Sequence, residues 1–402
     1  MSDTQIPIPS LADRVRSVIA GAPVVGVHFL GSTPVFVLGE EALLFAGEDG
    51  ERRVVIHAGA ILNSVSDGKR IISGGDDGKL IEATPDGDHR EITSDEKKRW
   101  VDHVALGPDD SVAWSAGKTA HVRTRKGDLR VFDAPSTVAG LAFAPKGFRI
   151  AIAHYNGVTL WFPNASGAKP EFLEWKGSHL GVTISPDGKF VITTMQEPTL
   201  HGWRIADAKH MRMSGYSTRV RSLSWTANGE FLATSGSEQL ILWPFDGKDG
   251  PMGRQPKILA RAASRVTSVA CHPRQPVVAV GYVDGAVKLV RIDDDALILA
   301  RQADEQPVSA LGWDSTGQTL AFGTESGSAG ILALDGSLYV SNEAGGQHEI
   351  GARKGELSPQ LLADGDAGNH GIALRGRERG IQVSERQRLD LAFAGNLQLV
   401  TD

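Results

Sequence analysis

Short runs in which apolar and polar residues alternate make up most of this chain, and tight turns separate them. Residues 180–184 form one such run, the turn 186–189 (Pro-Asp-Gly-Lys) follows, and residues 190–194 form the next run. Alternation with a period of two is typical of a β-strand with one buried face, and Asp-Gly between two such runs is a strong hairpin signal. The pattern therefore predicts an antiparallel hairpin in this segment.

The same hairpin pattern recurs at intervals of about forty residues, a period typical of propeller repeats. Around the turn 186–189, the runs 171–175 and 200–205 flank the hairpin and bring the unit to four strands. Repeats of four short antiparallel strands at this period predict an all-β fold, a β-propeller in which each repeat forms one four-stranded blade. The turns that mark the copies are 31–34, 66–69, 108–110, 145–147, 186–189, 227–230, 272–275 and 315–318.

Eight hairpins predict eight blades, and seven is the alternative count if one weak hairpin is a loop. The last unit has no convincing outer strand before residue 335, whereas the run 15–19 lies just before the first inner strand. We expect this N-terminal run to pair with the last blade. Such pairing closes the ring and removes the open edges that a linear stack of sheets would expose.

The repeats divide the chain into three parts. Residues 1–14 are an N-terminal arm, residues 15–340 are the propeller, and residues 341–402 do not follow the repeat. This tail contains glycine-rich and charged stretches, which predict a flexible segment, with an additional closing strand as the alternative.

Composition narrows the classes of protein that the chain can represent. Its 402 residues include 41% hydrophobic residues, 47 glycines and 19 prolines, which fit one large domain of short strands and tight turns. The net charge of -6 provides no general basic field, so binding to nucleic acid is disfavoured. The single cysteine, Cys271, cannot form an internal disulfide, and we interpret it as a small core residue in a reducing compartment.

The sequence predicts a cytoplasmic protein without a membrane partner. The segment 1–9 has no basic region typical of a signal peptide, and no apolar run approaches the ~18 residues of a membrane span.

Signatures of enzyme chemistry are missing from the sequence. The twelve histidines contain no pair at the i,i+4 spacing of a helical zinc site, and no Cys-x-x-Cys pair accompanies them. Neither a Gly-x-Ser-x-Gly nucleophile motif nor a phosphate-binding Walker loop occurs. We therefore predict no cofactor, no metal site and no catalytic residues. The alternative is an active site built from single polar residues of different blades that meet at the central channel.

Candidate binding residues lie where the repeats differ from one another. The loops that enter the inner strands, and the turns that join second to third strands, should lie on one face of a propeller. Arginine, tyrosine and tryptophan are enriched in interface hot spots, because they combine a large buried area with hydrogen-bonding groups. We consider the pair Arg99 and Trp100 the best candidates. The full set of predicted partner-binding residues is Arg99, Trp100, Tyr155, His179, Tyr216, Arg219, Arg265, Tyr282 and Asp284.

These repeats resemble the WD-repeat family of propellers. A tryptophan lies near the end of the third strand at Trp161, Trp203 and Trp243, and His57 and His179 stand where the Gly-His signature of that family falls. Residues 73–77 (Ser-Gly-Gly-Asp-Asp) resemble its serine and its turn aspartate. At the three tryptophans the dipeptides are Trp-Phe, Trp-Arg and Trp-Pro, so the family motif is degenerate.

The resemblance implies a noncatalytic scaffold that binds a protein or peptide partner on its loop-rich face. The resemblance is a strong indication of the fold, but it does not identify the partner. The alternative function is that of a hydrolase or lyase whose polar residues converge at the channel.

Overall fold

The computed structural model describes residues 8–165 and 167–334, together with the backbone of residues 363 and 364. Strands dominate these residues, and one short 3-10 helix (Ala12–Arg14) precedes them. The strands, in chain order, are β1 (Arg16–Ile19), β2 (Val24–Leu30), β3 (Thr33–Leu38), β4 (Ala42–Gly47), β5 (Gly50–Val55), β6 (Ile61–Ser66), β7 (Ile71–Gly75), β8 (Lys79–Ala83), β9 (His89–Ser94), β10 (Val101–Leu106), β11 (Val112–Ala116), β12 (Thr119–Arg123), β13 (Leu129–Asp133), β14 (Gly140–Phe143), β15 (Ile150–Trp161), β16 (Glu171–Ile184), β17 (Phe190–Met195), β18 (Leu200–Arg204), β19 (Lys209–Met213), β20 (Leu223–Trp225), β21 (Phe231–Thr234), β22 (Leu240–Pro244), β23 (Lys257–Leu259), β24 (Val266–Cys271), β25 (Val277–Tyr282), β26 (Val287–Arg291), β27 (Leu297–Arg301), β28 (Val308–Trp313), β29 (Thr319–Thr324), β30 (Ser328–Ala333) and β31 (Ala363–Asp364).

The eight predicted hairpins all form, and each one opens a repeat unit. We number these units 1 to 8 in chain order. Their hairpins are β2–β3, β6–β7, β10–β11, β14–β15, β16–β17, β20–β21, β24–β25 and β28–β29.

The hairpin turn of unit 5 shows why this sequence pattern recurs. The Asp187 carboxylate accepts a hydrogen bond from the Ser185 hydroxyl at 2.6 Å and another from the backbone N–H of Lys189 at 3.0 Å. Gly188 has a φ of +78°, a conformation that side chains other than glycine rarely adopt. An acidic or amide residue followed by glycine thus fixes the turn, and with it the register of the two strands.

The blades, counted as hydrogen-bonded sheets within the described residues, number seven. Six sheets have four strands. The remaining sheet has seven, because units 4 and 5 together supply β14 to β19 and β31 adds one more strand at its edge. Strand β16 pairs with β15 through its first half and with β17 through its second half. The expectation of eight separate blades is therefore corrected to seven, the alternative count. The physical reason is that the strand β16 runs from unit 4 into unit 5, where a loop between two blades was expected.

The N-terminal strand closes the ring, as predicted. β1 pairs antiparallel with β30, with Arg16 opposite Ile331 and Ile19 opposite Ser328, and supplies the fourth strand of the last sheet. The inner strands β2 and β28 also pack against each other, which brings the first unit beside the last.

Apolar side chains from neighbouring sheets build the core between the blades. One cluster joins Val35 and Phe45 of unit 1 to Ile61 and Ile71 of unit 2, and all four are buried. Burial of such a side chain contributes roughly 1.5–3 kcal/mol. Trp203, Trp243 and other large residues fill corresponding positions in later units, so the frame that carries the loops is densely packed.

The predicted tail, residues 341–402, lies outside the described residues except for β31. The backbone of β31 pairs antiparallel with the outer strand β19, with Asp364 opposite Arg212.

Candidate docking face

The loops that enter the inner strands meet the turns between second and third strands, as the topology of a propeller requires. In unit 4 the Ser136 hydroxyl accepts a hydrogen bond from the Tyr155 N–H at 2.9 Å. In unit 7 the Ser264 hydroxyl accepts one from the Asp284 N–H at 3.2 Å. In unit 8 the Glu325 N–H bonds a backbone carbonyl of the entering loop at 3.0 Å. We call the surface formed by these loops and turns the loop face.

Trp100 is exposed on a braced corner of this face. The Asp95 carboxylate accepts hydrogen bonds from the N–H groups of Lys97 and Arg99, at 3.0 and 2.9 Å, and so closes the loop. Arg99 also makes a 2.6 Å ion pair with Asp95, which lowers the pKa of that carboxyl and raises the pKa of the guanidinium. Trp100 itself is 45% exposed. Arg99 therefore positions the loop, and the indole is the group available to a partner.

Tyr155 is the second exposed aromatic residue of the loop face. It is 52% exposed and borders a groove of about 640 Å³, together with Pro135, Phe172 and Trp175. Asn156 holds the adjacent turn, because its side-chain oxygen accepts a hydrogen bond from the Gly177 N–H at 3.1 Å. The groove is open, and its wall combines apolar and aromatic side chains with polar ones such as Asn156 and Glu174.

Three predicted partner-binding residues are buried in the blades. His179 bonds the Thr193 hydroxyl at 2.8 Å and the Trp175 carbonyl at 2.9 Å. The Tyr282 hydroxyl donates to the Ala260 carbonyl at 3.2 Å. The third, Tyr216, is likewise buried within unit 6. His179, Tyr216 and Tyr282 are therefore not accessible to a partner, because their side chains are buried within the blades.

Tyr216 belongs to a network of buried hydrogen bonds within unit 6, and His57 forms a similar network in unit 2. The Trp243 indole N–H donates to the Tyr216 hydroxyl at 2.6 Å, and that hydroxyl lies 3.0 Å from the Thr234 hydroxyl. Burial raises the pKa of Tyr216, so the phenol stays protonated. These bonds tie the entering loop of unit 6 to its second and third strands.

The corresponding network of unit 2 uses the residues that resemble the WD-repeat signature. His57 Nε2 lies 2.9 Å from the Ser73 hydroxyl, and His57 Nδ1 lies 3.0 Å from the Asp77 carboxylate. Burial lowers the pKa of His57, while Asp77 opposes that shift. Both networks brace the loop face from beneath.

Arg219 and Arg265 meet at a pocket of about 440 Å³ that units 6, 7 and 8 form together. Arg221 also lines it, and sequence reasoning missed this residue because it lies in the run 220–225, which reads as an inner strand. The spacing Arg219-x-Arg221 at the start of that run was the available signal. The predicted residue Asp284 lies elsewhere, in a turn where its carboxylate accepts the Ala286 N–H at 3.0 Å.

A second chamber of about 390 Å³ adjoins this pocket through Arg219 and Arg221, which line both. Its opposite wall includes Asp102, which accepts a 2.7 Å hydrogen bond from the Ser115 hydroxyl. His103 also lines the chamber, and burial lowers the pKa of its ring. Charged and polar side chains therefore line both cavities.

Three further observations concern the described residues. No three His, Cys, Asp or Glu side chains there lie close enough together to bind a metal ion. No helix in the same part of the chain has the length and hydropathy needed to span a membrane. Cys271 is half-buried, and desolvation of its thiol raises the pKa of that group to about 12.

Comparison with known proteins gives a match to one repeat and to the fold. Residues 209–243, from β19 to the third strand of unit 6, match the family described as "WD domain, G-beta repeat". The crystal structure of the computationally designed Ika8 protein is similar, with a TM-score of 0.63 over 78% of this chain and 96% of that chain. At 17% identity this likeness concerns the fold alone. A comparison with curated protein sequences gave no match.

Four-stranded antiparallel units, closed into a ring by the N-terminal strand, define a β-propeller. With the match of residues 209–243 to one WD repeat, this architecture supports a relationship to the WD-repeat family of propellers. Propellers of this family are typically protein-interaction scaffolds.

Proposed function

We propose that this protein is a noncatalytic scaffold that binds a protein or peptide partner on its loop face. The observation that carries the proposal is the exposure of Trp100 on a loop that Asp95 and Arg99 hold in one conformation. Large aromatic side chains in fixed positions are effective anchors, because little conformational entropy is lost when they are covered.

Tyr155 supports the proposal from a neighbouring unit. Its side chain is exposed beside a groove that Phe172 and Trp175 also line. Hydrogen bonds to its backbone and to Asn156 fix the turn that carries it. Two braced aromatic anchors on one face suit a partner that extends over more than one blade.

Substitution of the anchor tests this function. We expect Trp100→Ala to reduce recovery of a bound partner by about tenfold or more, since truncation of a hot-spot residue costs roughly 2 kcal/mol or more. The measurement is quantitative affinity capture from native cells, with the wild-type protein and the variant compared at equal loading.

Leu129→Ala is the matched control. Leu129 is 52% exposed but lies on β13, at the end of unit 3 away from the loop face, where Arg123 is its strand partner. Partners should bind this variant at the wild-type level. If Trp100→Ala retained every partner at the wild-type yield, or if Leu129→Ala lost the same partners, the proposed surface would be wrong.

A further inference from the structure

We propose that the pocket lined by Arg219, Arg221 and Arg265 binds an acidic segment of the partner, through a carboxylate or phosphate group. This inference rests on the proposed scaffold function and specifies the chemistry of its ligand.

Positive charge is concentrated in this pocket. Arg219, Arg221 and Arg265 line it, and the carboxylate of Glu325 is the only acidic group among its lining residues, so three positive charges against one negative give +2. The chain as a whole carries -6, so the cluster is a local feature. An oxyanion bound in this cavity would lie close to arginine side chains and would be attracted to their positive charge.

The arginines are presented in different ways. Arg219 is oriented by Gln196, whose side-chain oxygen accepts a hydrogen bond from the guanidinium at 3.0 Å. Arg265 is half-buried, and its guanidinium makes no hydrogen bond or ion pair with any residue that the structure describes. Arg265 lines the pocket, and a guanidinium group can bind a carboxylate or phosphate in a bidentate manner.

The wall between the arginines is rigid. The Thr267 hydroxyl donates to the Val308 carbonyl at 2.6 Å, and the Ser222 hydroxyl donates to the Val269 carbonyl at 3.3 Å. Each of these bonds joins one unit to the next, so the spacing between the loops is fixed before a ligand arrives. The protons of these two hydroxyls are engaged in the fold, whereas the guanidinium groups supply the positive charge of the pocket.

The dimensions and composition of the pocket favour a peptide segment. A volume of about 440 Å³ accommodates a few side chains and not a folded domain. None of its lining residues is aromatic, whereas proteins that bind single-stranded nucleic acid typically stack bases on aromatic rings. An acidic peptide would complement the positive charge of the arginines, and its binding does not require aromatic rings for stacking.

The test uses synthetic peptides and fluorescence anisotropy on the full chain. The probes are a fluorescein-labelled hexaglutamate peptide, a peptide with two phosphoserines, and their glutamine and serine counterparts. We expect the wild-type protein to bind at least one anionic probe about tenfold or more tightly than its neutral counterpart, with an affinity that falls as salt rises. The glutamate and phosphoserine probes distinguish carboxylate from phosphate as the bound group.

Variants locate the binding. Arg265→Gln should weaken the anionic probe about tenfold or more, because a charged hydrogen-bond partner is lost. Arg265→Lys should restore part of that loss, and Arg130→Gln, on the exposed outer strand β13, should leave binding unchanged. Circular dichroism melting curves establish that each variant is folded.

Three results would overturn the proposal: equal binding of anionic and neutral probes, unchanged binding by Arg265→Gln, or preferential binding of an oligonucleotide of the same charge. The Trp100→Ala capture experiment is independent of this measurement. If Trp100→Ala lost its partner while no anionic peptide bound the wild-type protein, the scaffold function would stand and the acidic ligand would be rejected.

Discussion

His201 carries two buried ring nitrogens, and neither has a hydrogen-bond partner among the described residues. The ring is 1% exposed and stacks on Trp175 with 4.1 Å between ring centroids. Burial lowers its pKa from 6.5 to about 2, so the ring is neutral in the folded protein. A neutral imidazole still has one N–H donor, and an unsatisfied buried donor costs roughly 1–3 kcal/mol.

We expect His201→Phe to raise the free energy of unfolding by about 1 kcal/mol or more, because the aromatic stacking remains and the unsatisfied donor disappears. His179→Phe is the matched control: both nitrogens of His179 are bonded, so this change should destabilise the protein. Chemical denaturation of the two variants measures both effects. A loss of stability on His201→Phe that equals the loss on His179→Phe would contradict the interpretation.

Sequence reasoning at the residue scale found the loop positions but not the direction of every side chain. Tyr216 and Tyr282 are adjacent to loops, and nothing in the one-dimensional pattern shows that their rings turn into the blades. Arg221 was missed for the opposite reason, since it belongs to a strand pattern yet lines the pocket. Burial depends on contacts between blades, which periodicity does not encode.

At the scale of elements, β1 has the most specific structural role. In its sequence Arg-Ser-Val-Ile, Val18 is 2% exposed, while the neighbouring Ser17 is exposed. Val18 packs in a cluster with residues of the first unit, such as Val24 and Phe36, and of the last, such as Ile331. The strand therefore joins the two ends of the ring through both backbone pairing and side-chain burial.

Val18→Asp should destabilise the protein by about 3 kcal/mol or more, because an unpaired carboxylate would replace a buried side chain. Ser17→Asp introduces the same charge one residue earlier, at an exposed position, and should change stability by less than about 0.5 kcal/mol. Thermal unfolding of both variants tests the difference. Equal melting temperatures for the two would show that β1 does not close the ring in solution.

The hairpins and the closing strand were predictable because each depends on local turn chemistry and on alternation within a few residues. The union of units 4 and 5 was not. It depends on the link 176–178 continuing as strand within β16, and Gly177 in that link is also the type of residue that marks a loop. The presence of a glycine in this link therefore could not distinguish a loop between two blades from a strand that continues from one unit into the next.

At the scale of the whole molecule, buried and half-buried histidines make stability depend on pH. Burial lowers the pKa of His28 to about 4 and that of His201 to about 2, and it also lowers the pKa of His103 and His154. These rings take up protons more readily in the unfolded chain. Their stabilising contribution is complete above pH 6.5 and is lost as the pH falls toward the folded pKa of each ring.

We therefore expect the free energy of unfolding to fall between pH 7 and pH 5, with each such ring contributing up to about 1.4 kcal/mol per pH unit below its unfolded pKa. Urea unfolding across this range measures the slope. The His201→Phe variant should show a shallower slope than the wild-type protein. A stability that stays constant over this range would contradict the burial of neutral histidines.

The architecture of the molecule was predictable to the level of a closed propeller, whereas its partner was not. Repetition specifies the blades, but function depends on residues that do not repeat, such as Trp100 and Arg265. Their joint presentation on one face depends on the closure of the ring and on the hydrogen bonds that brace each loop.

Site-specific photo-crosslinking tests the docking face most directly. A photoreactive amino acid at position 100 or 155, on the loop face, is compared in native cells with the same residue at position 129 on β13. We predict that both loop-face positions form a covalent adduct with the same partner and that position 129 forms none with it. Adducts from position 129 alone, or equal adducts from all three positions, would contradict a scaffold that docks its partner on the loop face.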